Sequence, residues 1–86
     1  MQNDLDIKFL LAVFEKIRQH GEHKGESHIL NGVRAYTDFD GYTVYLEDAL
    51  VSLRCGFHNQ YHYTYESSEH LAAFQKKLQS IHSEYA

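Results

Sequence analysis

Residues 33–47, VRAYTDFDGYTVYLE, decide the fold. Asp40-Gly41 at its centre is a dipeptide of the two-residue hairpin loop, because a type I′ turn needs φ > 0 at both central positions. With those two residues as the loop, Phe39 faces Tyr42, Thr37 faces Val44 and Ala35 faces Leu46. This gives one mainly apolar side, with Phe39, Tyr42, Val44 and Leu46 directed inward. The alternate residues place Tyr36 opposite Tyr45 and Arg34 opposite Glu47, an aromatic pair beside an ion pair. Turn chemistry and both face patterns therefore agree on one register.

Working outward, Asp48-Ala49 reads as the next tight turn. It sets Leu46 against Val51, Val44 against Leu53 and Tyr42 against Cys55, so the apolar face continues unbroken. Asp-Ala is a poorer turn than Asp-Gly, which leaves room for a loop longer by a residue or two. A third reversal around His58-Asn59-Gln60 returns Tyr61, Tyr63 and Tyr65 to the face of Phe57. On the N-terminal side Asn31-Gly32 is also a hairpin dipeptide, but only His28, Ile29 and Leu30 precede it as strand. It reads as a bend or bulge leading into Val33. The stretch GEHKGES before it, with two Gly and alternating charge, reads as a surface loop.

A helix is expected on each side of this sheet segment. Over residues 4–20, Ile7, Leu10, Leu11, Phe14 and Ile17 recur at the spacing of one buried helical face. Asn3 or Asp4 can cap it, Asp6 suits the first turn, Arg18 and His20 suit the last, and Gly21 follows as a stop. Ser67 or Ser68 caps the second helix, with Glu69 in its first turn. Leu71, Phe74, Leu78, Ile81 and Tyr85 form its apolar stripe, opposite Gln75, Lys76, Gln79 and Ser83. The reading is an α+β fold of order α-β-β-β-(β)-α, an antiparallel meander of three to four strands with two helices packed on one face. It forms a single domain over residues 1–86.

The residues FEKIRQHGEHKGE, GVRAYTDFDGYTVYLED and FHNQY resemble a small family of proteobacterial proteins known only as a domain of unknown function. The resemblance covers about residues 5–65. It implies a bacterial, cytosolic protein and carries no catalytic or binding residue with it.

Composition narrows the function classes. Twelve acidic and eight basic residues leave a formal charge of −4, which disfavours nucleic acid and anionic membranes as partners. Protonating the seven His would reverse that sign. A single cysteine, Cys55, excludes an internal disulfide framework. The apolar run Phe9 to Phe14 is too short for a signal core or a membrane span. A cytoplasmic protein with no membrane association is expected.

Candidate chemistry is sparse. His20, His23 and His28, with Glu22 and Glu26 between them, match no standard metal spacing, and Gly21 interrupts the helix that would align the first two. His58 and His62 sit about 13 Å apart along an extended strand unless the turn folds them together. Cys55 shares its face with Leu53 and Phe57, where a free cysteine is usually a small core hydrophobe. No nucleophile triad, phosphate loop or carboxylate pair accompanies it. No catalytic residue, metal or cofactor is assigned, and the protein is not expected to be an enzyme. The element order invites comparison with double-stranded-RNA-binding domains, but the start of the last helix reads ESSEHL where that family is basic.

One feature points outward. With both helices on the Val44/Leu53 face, Arg34, Tyr36, Tyr45 and Arg54 gather on the other, with Arg54 diagonal to Tyr45. Tyr and Arg are enriched at interface hot spots. Ordinary cross-strand pairing on a wet face is the competing reading. The favoured function is a non-catalytic interaction module whose open sheet face binds another protein or a second copy of itself. The alternative is nucleic-acid or small-ligand binding through the same face.

Overall fold

The computed structural model describes residues 7–39, 41–56 and 60–85. Helix α1 (Ile7–His20) leads into six strands and helix α2 (Ser68–Glu84). The strands are β1 (Glu22–Lys24), β2 (Ser27–Leu30), β3 (Val33–Thr37), β4 (Val44–Glu47), β5 (Ser52–Cys55) and β6 (Tyr61–Thr64). They pair antiparallel in chain order. The fold is α+β as expected, but the sheet has six strands where three to four were read. It therefore also departs from the element order of double-stranded-RNA-binding domains.

The extra strands come from the stretch read as loop and bulge. Gly25-Glu26 turns β1 onto β2, pairing Lys24 with Ser27 and His23 with His28. Asn31-Gly32 is a true two-residue hairpin loop, closed by Leu30 opposite Val33. Both its residues have positive φ, 52° at Asn31 and 81° at Gly32, as a type I′ turn demands. Gly21 separates α1 from β1 for a steric reason. A side chain there would meet Ile17 O at 2.5 Å and Ile29 O at 2.7 Å, so helix end and strand approach too closely for any residue with a Cβ.

The β3–β4 register is the expected one: Arg34 opposite Glu47, Ala35 opposite Leu46, Tyr36 opposite Tyr45 and Thr37 opposite Val44. The ladder ends there. Asp38 N–H still donates to Thr43 O at 2.8 Å and Gly41 N–H to Asp38 O at 2.9 Å, while Asp40 lies outside the described residues. The expectation that Phe39 and Tyr42 point inward is wrong. Their relative exposures are 103% and 61%, because both lie at the hairpin tip, beyond the last pair of the β3–β4 ladder, Thr37 with Val44.

Between β4 and β5 the pairing is offset by two residues from the reading: Val44 faces Cys55, Tyr45 faces Arg54, Leu46 faces Leu53 and Glu47 faces Ser52. The turn is Ala49-Leu50, and the Asp48 carboxylate makes it. Asp48 Oδ1 accepts the N–H groups of Leu50 and Val51, both at 2.8 Å, and Asp48 N–H donates to Val51 O at 2.9 Å. Because the offset is even, every side chain keeps its face. The third reversal, expected around His58-Asn59-Gln60, falls largely outside the described residues, which omit Phe57, His58 and Asn59. Gly56 N–H donating to Gln60 O at 2.9 Å closes it. Leu53 then faces Tyr63 and Cys55 faces Tyr61.

Both helices cover the face bearing Val33, Ala35, Leu46, Leu53 and Cys55. Leu10, Val13 and Ile17 of α1 and Phe74, Leu78 and Ile81 of α2 complete that core. The α2 stripe matches expectation, with Leu71 and Tyr85 half-buried at its ends. Ser67 caps the helix by accepting His70 N–H at 3.2 Å. The α1 face is rotated: Val13 is buried, while Leu11 is 44% exposed and Phe14 packs at the margin. Asn3, Asp4, Asp6 and the side chain of Ile7 lie outside the described residues. Cys55 is buried, and burial pushes its thiol pKa up, as befits a core residue. No helix among the described residues is long and apolar enough to cross a membrane.

Candidate functional site

The helix-free face is built by the alternate residues of the same strands. The register lines them up in two transverse rows. One runs Tyr36–Tyr45–Arg54–His62, each opposite the next on β3, β4, β5 and β6. The other runs Glu22–Ile29–Arg34–Glu47–Ser52–Thr64 from β1 to β6. Of the four residues read as the binding site, Tyr36, Tyr45 and Arg54 share the first row and Arg34 lies in the second. Arg54 is directly opposite Tyr45, not diagonal to it, a consequence of the two-residue offset between β4 and β5.

Tyr36 and Tyr45 stack almost in parallel, with centroids 4.8 Å apart and planes 9° apart. The Tyr36 hydroxyl donates to Glu47 Oε1 at 3.1 Å. Arg34 Nη1 stands 4.0 Å from Glu47 Oε2, so one carboxylate joins the two rows. Burial first, then the hydrogen bond and charge of Glu47, raise the Tyr36 pKa. The phenol stays a donor, and its ring is held for contact. Arg54 is exposed beside a hollow of about 450 Å³ that Asp38, Thr43, Tyr45, Gln60 and His62 also line. A second hollow of about 320 Å³ lies at Ile29, Arg34 and Glu47.

His62 belongs to this row and was missed from the sequence. Its place opposite Arg54 comes from the β5–β6 register, and Arg54 itself joins the row only through the β4–β5 offset. The other histidines are arranged differently from the reading. His23 and His28 are cross-strand partners whose rings stack 4.5 Å apart, whereas the His20 ring packs against Tyr85. Among the described residues no group of three or more His, Cys, Asp or Glu could hold a metal ion.

A family model described as "Protein of unknown function (DUF3081)" matches residues 5–86 of the chain. No curated protein and no solved structure matches it.

Proposed function

The chain belongs to the DUF3081 family, and for it we propose a non-catalytic role in which the helix-free sheet face docks a protein partner. The observation that carries this reading is the stacked Tyr36–Tyr45 pair, continued by exposed Arg54 on a face that no helix among the described residues covers. Two rings already held in place lose little rotamer freedom on binding, and an arginine beside them adds planar donors. A cytoplasmic setting suits a chain whose single cysteine cannot form an internal disulfide.

The hollow beside Arg54 favours a second reading, a small anionic or nucleotide ligand on the same face. Ionic strength separates the two. Binding that depends on phosphate contacts falls steeply with salt, and an aromatic protein interface keeps most of its affinity. The test is affinity capture from the native cell by the wild-type chain and by Tyr36→Glu/Tyr45→Glu, followed by titration of each recovered partner in low and high salt. A partner lost by the variant and retained in high salt supports docking. Identical partners for both chains remove the face from consideration.

A further inference from the structure

The two free edges of the sheet are built differently. β1 is three residues long and carries Glu22 and Lys24, and short, charged strands are how proteins discourage edge-to-edge pairing. β6 is Tyr61-His62-Tyr63-Thr64, with no Lys, Glu or Pro, and among the described residues it pairs with β5 alone.

The ladder shows which groups that edge presents. Gly56 N–H bonds Gln60 O, so the hydrogen-bonded pairs between β5 and β6 are Gly56–Gln60, Arg54–His62 and Ser52–Thr64. Antiparallel ladders alternate. The N–H and C=O groups of Tyr61 and Tyr63 therefore point away from β5, out of the sheet, two residues apart with His62 midway between them. The strand is also held in place on its covered side. Tyr63 meets Phe74 edge-on at 6.3 Å and Tyr61 at 6.1 Å, and Gln75 Nε2 reaches its hydroxyl at 3.5 Å.

We infer that β6 is a self-pairing edge: two copies of the chain join β6 to β6, antiparallel, about a two-fold axis through His62. The pattern is its own complement. Outward-pointing residues must meet outward-pointing residues. The register that keeps both within the strand sets Tyr61 against Tyr63 of the second copy and Tyr63 against Tyr61, closing four backbone hydrogen bonds. His62 then faces His62 across the axis as a non-hydrogen-bonded pair. The two sheets become one of twelve strands with all four helices on the same side. The row Tyr36–Tyr45–Arg54–His62 runs through the axis and back to Tyr36 of the second copy. This pairing uses the edge and leaves the open face free, so it stands apart from the docking proposed for that face.

The test combines light scattering with site-directed crosslinking at about pH 8, where thiols are oxidised readily. Wild-type protein at concentrations on the order of 100 µM, within reach of a weak association, is expected to have the mass of a dimer. His62→Lys, which sets two ammonium groups face to face at an exposed position, is expected to weaken the association roughly tenfold or more. His62→Cys is expected to crosslink two chains on mild oxidation, since Cα atoms of such a pair lie about 4.5 Å apart. Thr64→Cys, whose opposite number is Gln60, is the control and should not crosslink. A wild-type monomer at that concentration overturns the proposal. So does a dimer whose His62→Cys variant crosslinks no better than Thr64→Cys, and so does a dimer that Tyr36→Glu/Tyr45→Glu abolishes, which would move the contact to the face.

Discussion

On β3 the chain alternates between buried Val33 and Ala35 and exposed Arg34, with Tyr36 half-buried beyond. On β4, Leu46 is buried between Tyr45 and Glu47. Neighbours in sequence therefore live in different media. The covered side excludes water, and its residues contribute through apolar area and packing. The open side keeps its water, and its pairs contribute little to folding while remaining available to a partner. In a chain of 86 residues nearly all the stability has to come from one side of one sheet, which frees the other side to vary.

The covered side can be broken first. Phe74 is fully buried in α2, and Phe74→Ala should cost about 3–5 kcal/mol, a large part of the stability of so small a domain. Urea unfolding should show a collapsed or lost transition. A loss below about 1 kcal/mol would mean that α2 does not anchor the core.

The next effect lies where the two sides meet, at the β4–β5 turn. Asp48, with a side chain only 6% exposed, accepts Lys77 Nζ from α2 at 2.8 Å as well as two turn N–H groups. Burial alone pushes its carboxyl pKa up, but the Lys77 hydrogen bond, the Leu50 and Val51 N–H groups and the Lys77 charge outweigh that and hold it below the usual value. A depressed folded-state pKa means this stabilisation is complete above the unfolded value of about 4 and is lost as pH falls through it toward the folded one. Asp48→Ala should therefore cost about 2 kcal/mol near neutral pH and progressively less as the pH falls below about 4. Urea midpoints in both pH ranges check this; an equal loss in each would rule out the carboxylate as its source.

Turn strain comes third. Gly41 has φ +80° with open space around it, so Gly41→Val meets conformational strain alone, about 1 kcal/mol or more. An unchanged thermal midpoint would show that the tip relaxes freely. The open side should give least. Arg34 is 51% exposed and 4.0 Å from Glu47, and Arg34→Ala should change stability by less than about 0.5 kcal/mol. A loss approaching that of Phe74→Ala would erase the distinction between the faces.

The β3–β4 register was legible because three independent signals coincide there: Asp40-Gly41, the Ala35/Leu46 side and the Tyr36/Tyr45 side. The β4–β5 turn was not, since its geometry comes from Asp48 bonding the backbone two and three residues on, which pairwise turn preferences do not contain. β1 escaped because Glu22-His23-Lys24 has no apolar alternation; it is an edge, held by its ladder to β2. Leu11 and Val13 exchanged places because both fit a helical stripe around Leu10 and Ile17, and the positions of α2, β2 and β3 select between the phases. The reading puts Tyr36, Tyr45 and Arg34 in their observed rows; the β4–β5 turn displaces Arg54, and His62 depends on the separate β5–β6 register.

The unbroken order β1 to β6 has a kinetic consequence. Each ladder joins segments that follow one another in the chain, so pairing can begin at any hairpin and spread by short steps, and such local topologies fold fast for their strand content. The helices pose the opposite problem. Phe9 and His82, whose rings lie 4.9 Å apart, come from opposite ends of the chain, and closing a loop of that length in a random coil is entropically expensive. Once the meander stands, α1 and α2 emerge above the same surface with most of that distance already spanned. The sheet is thus a template that turns a contact between distant parts of the chain into a local one.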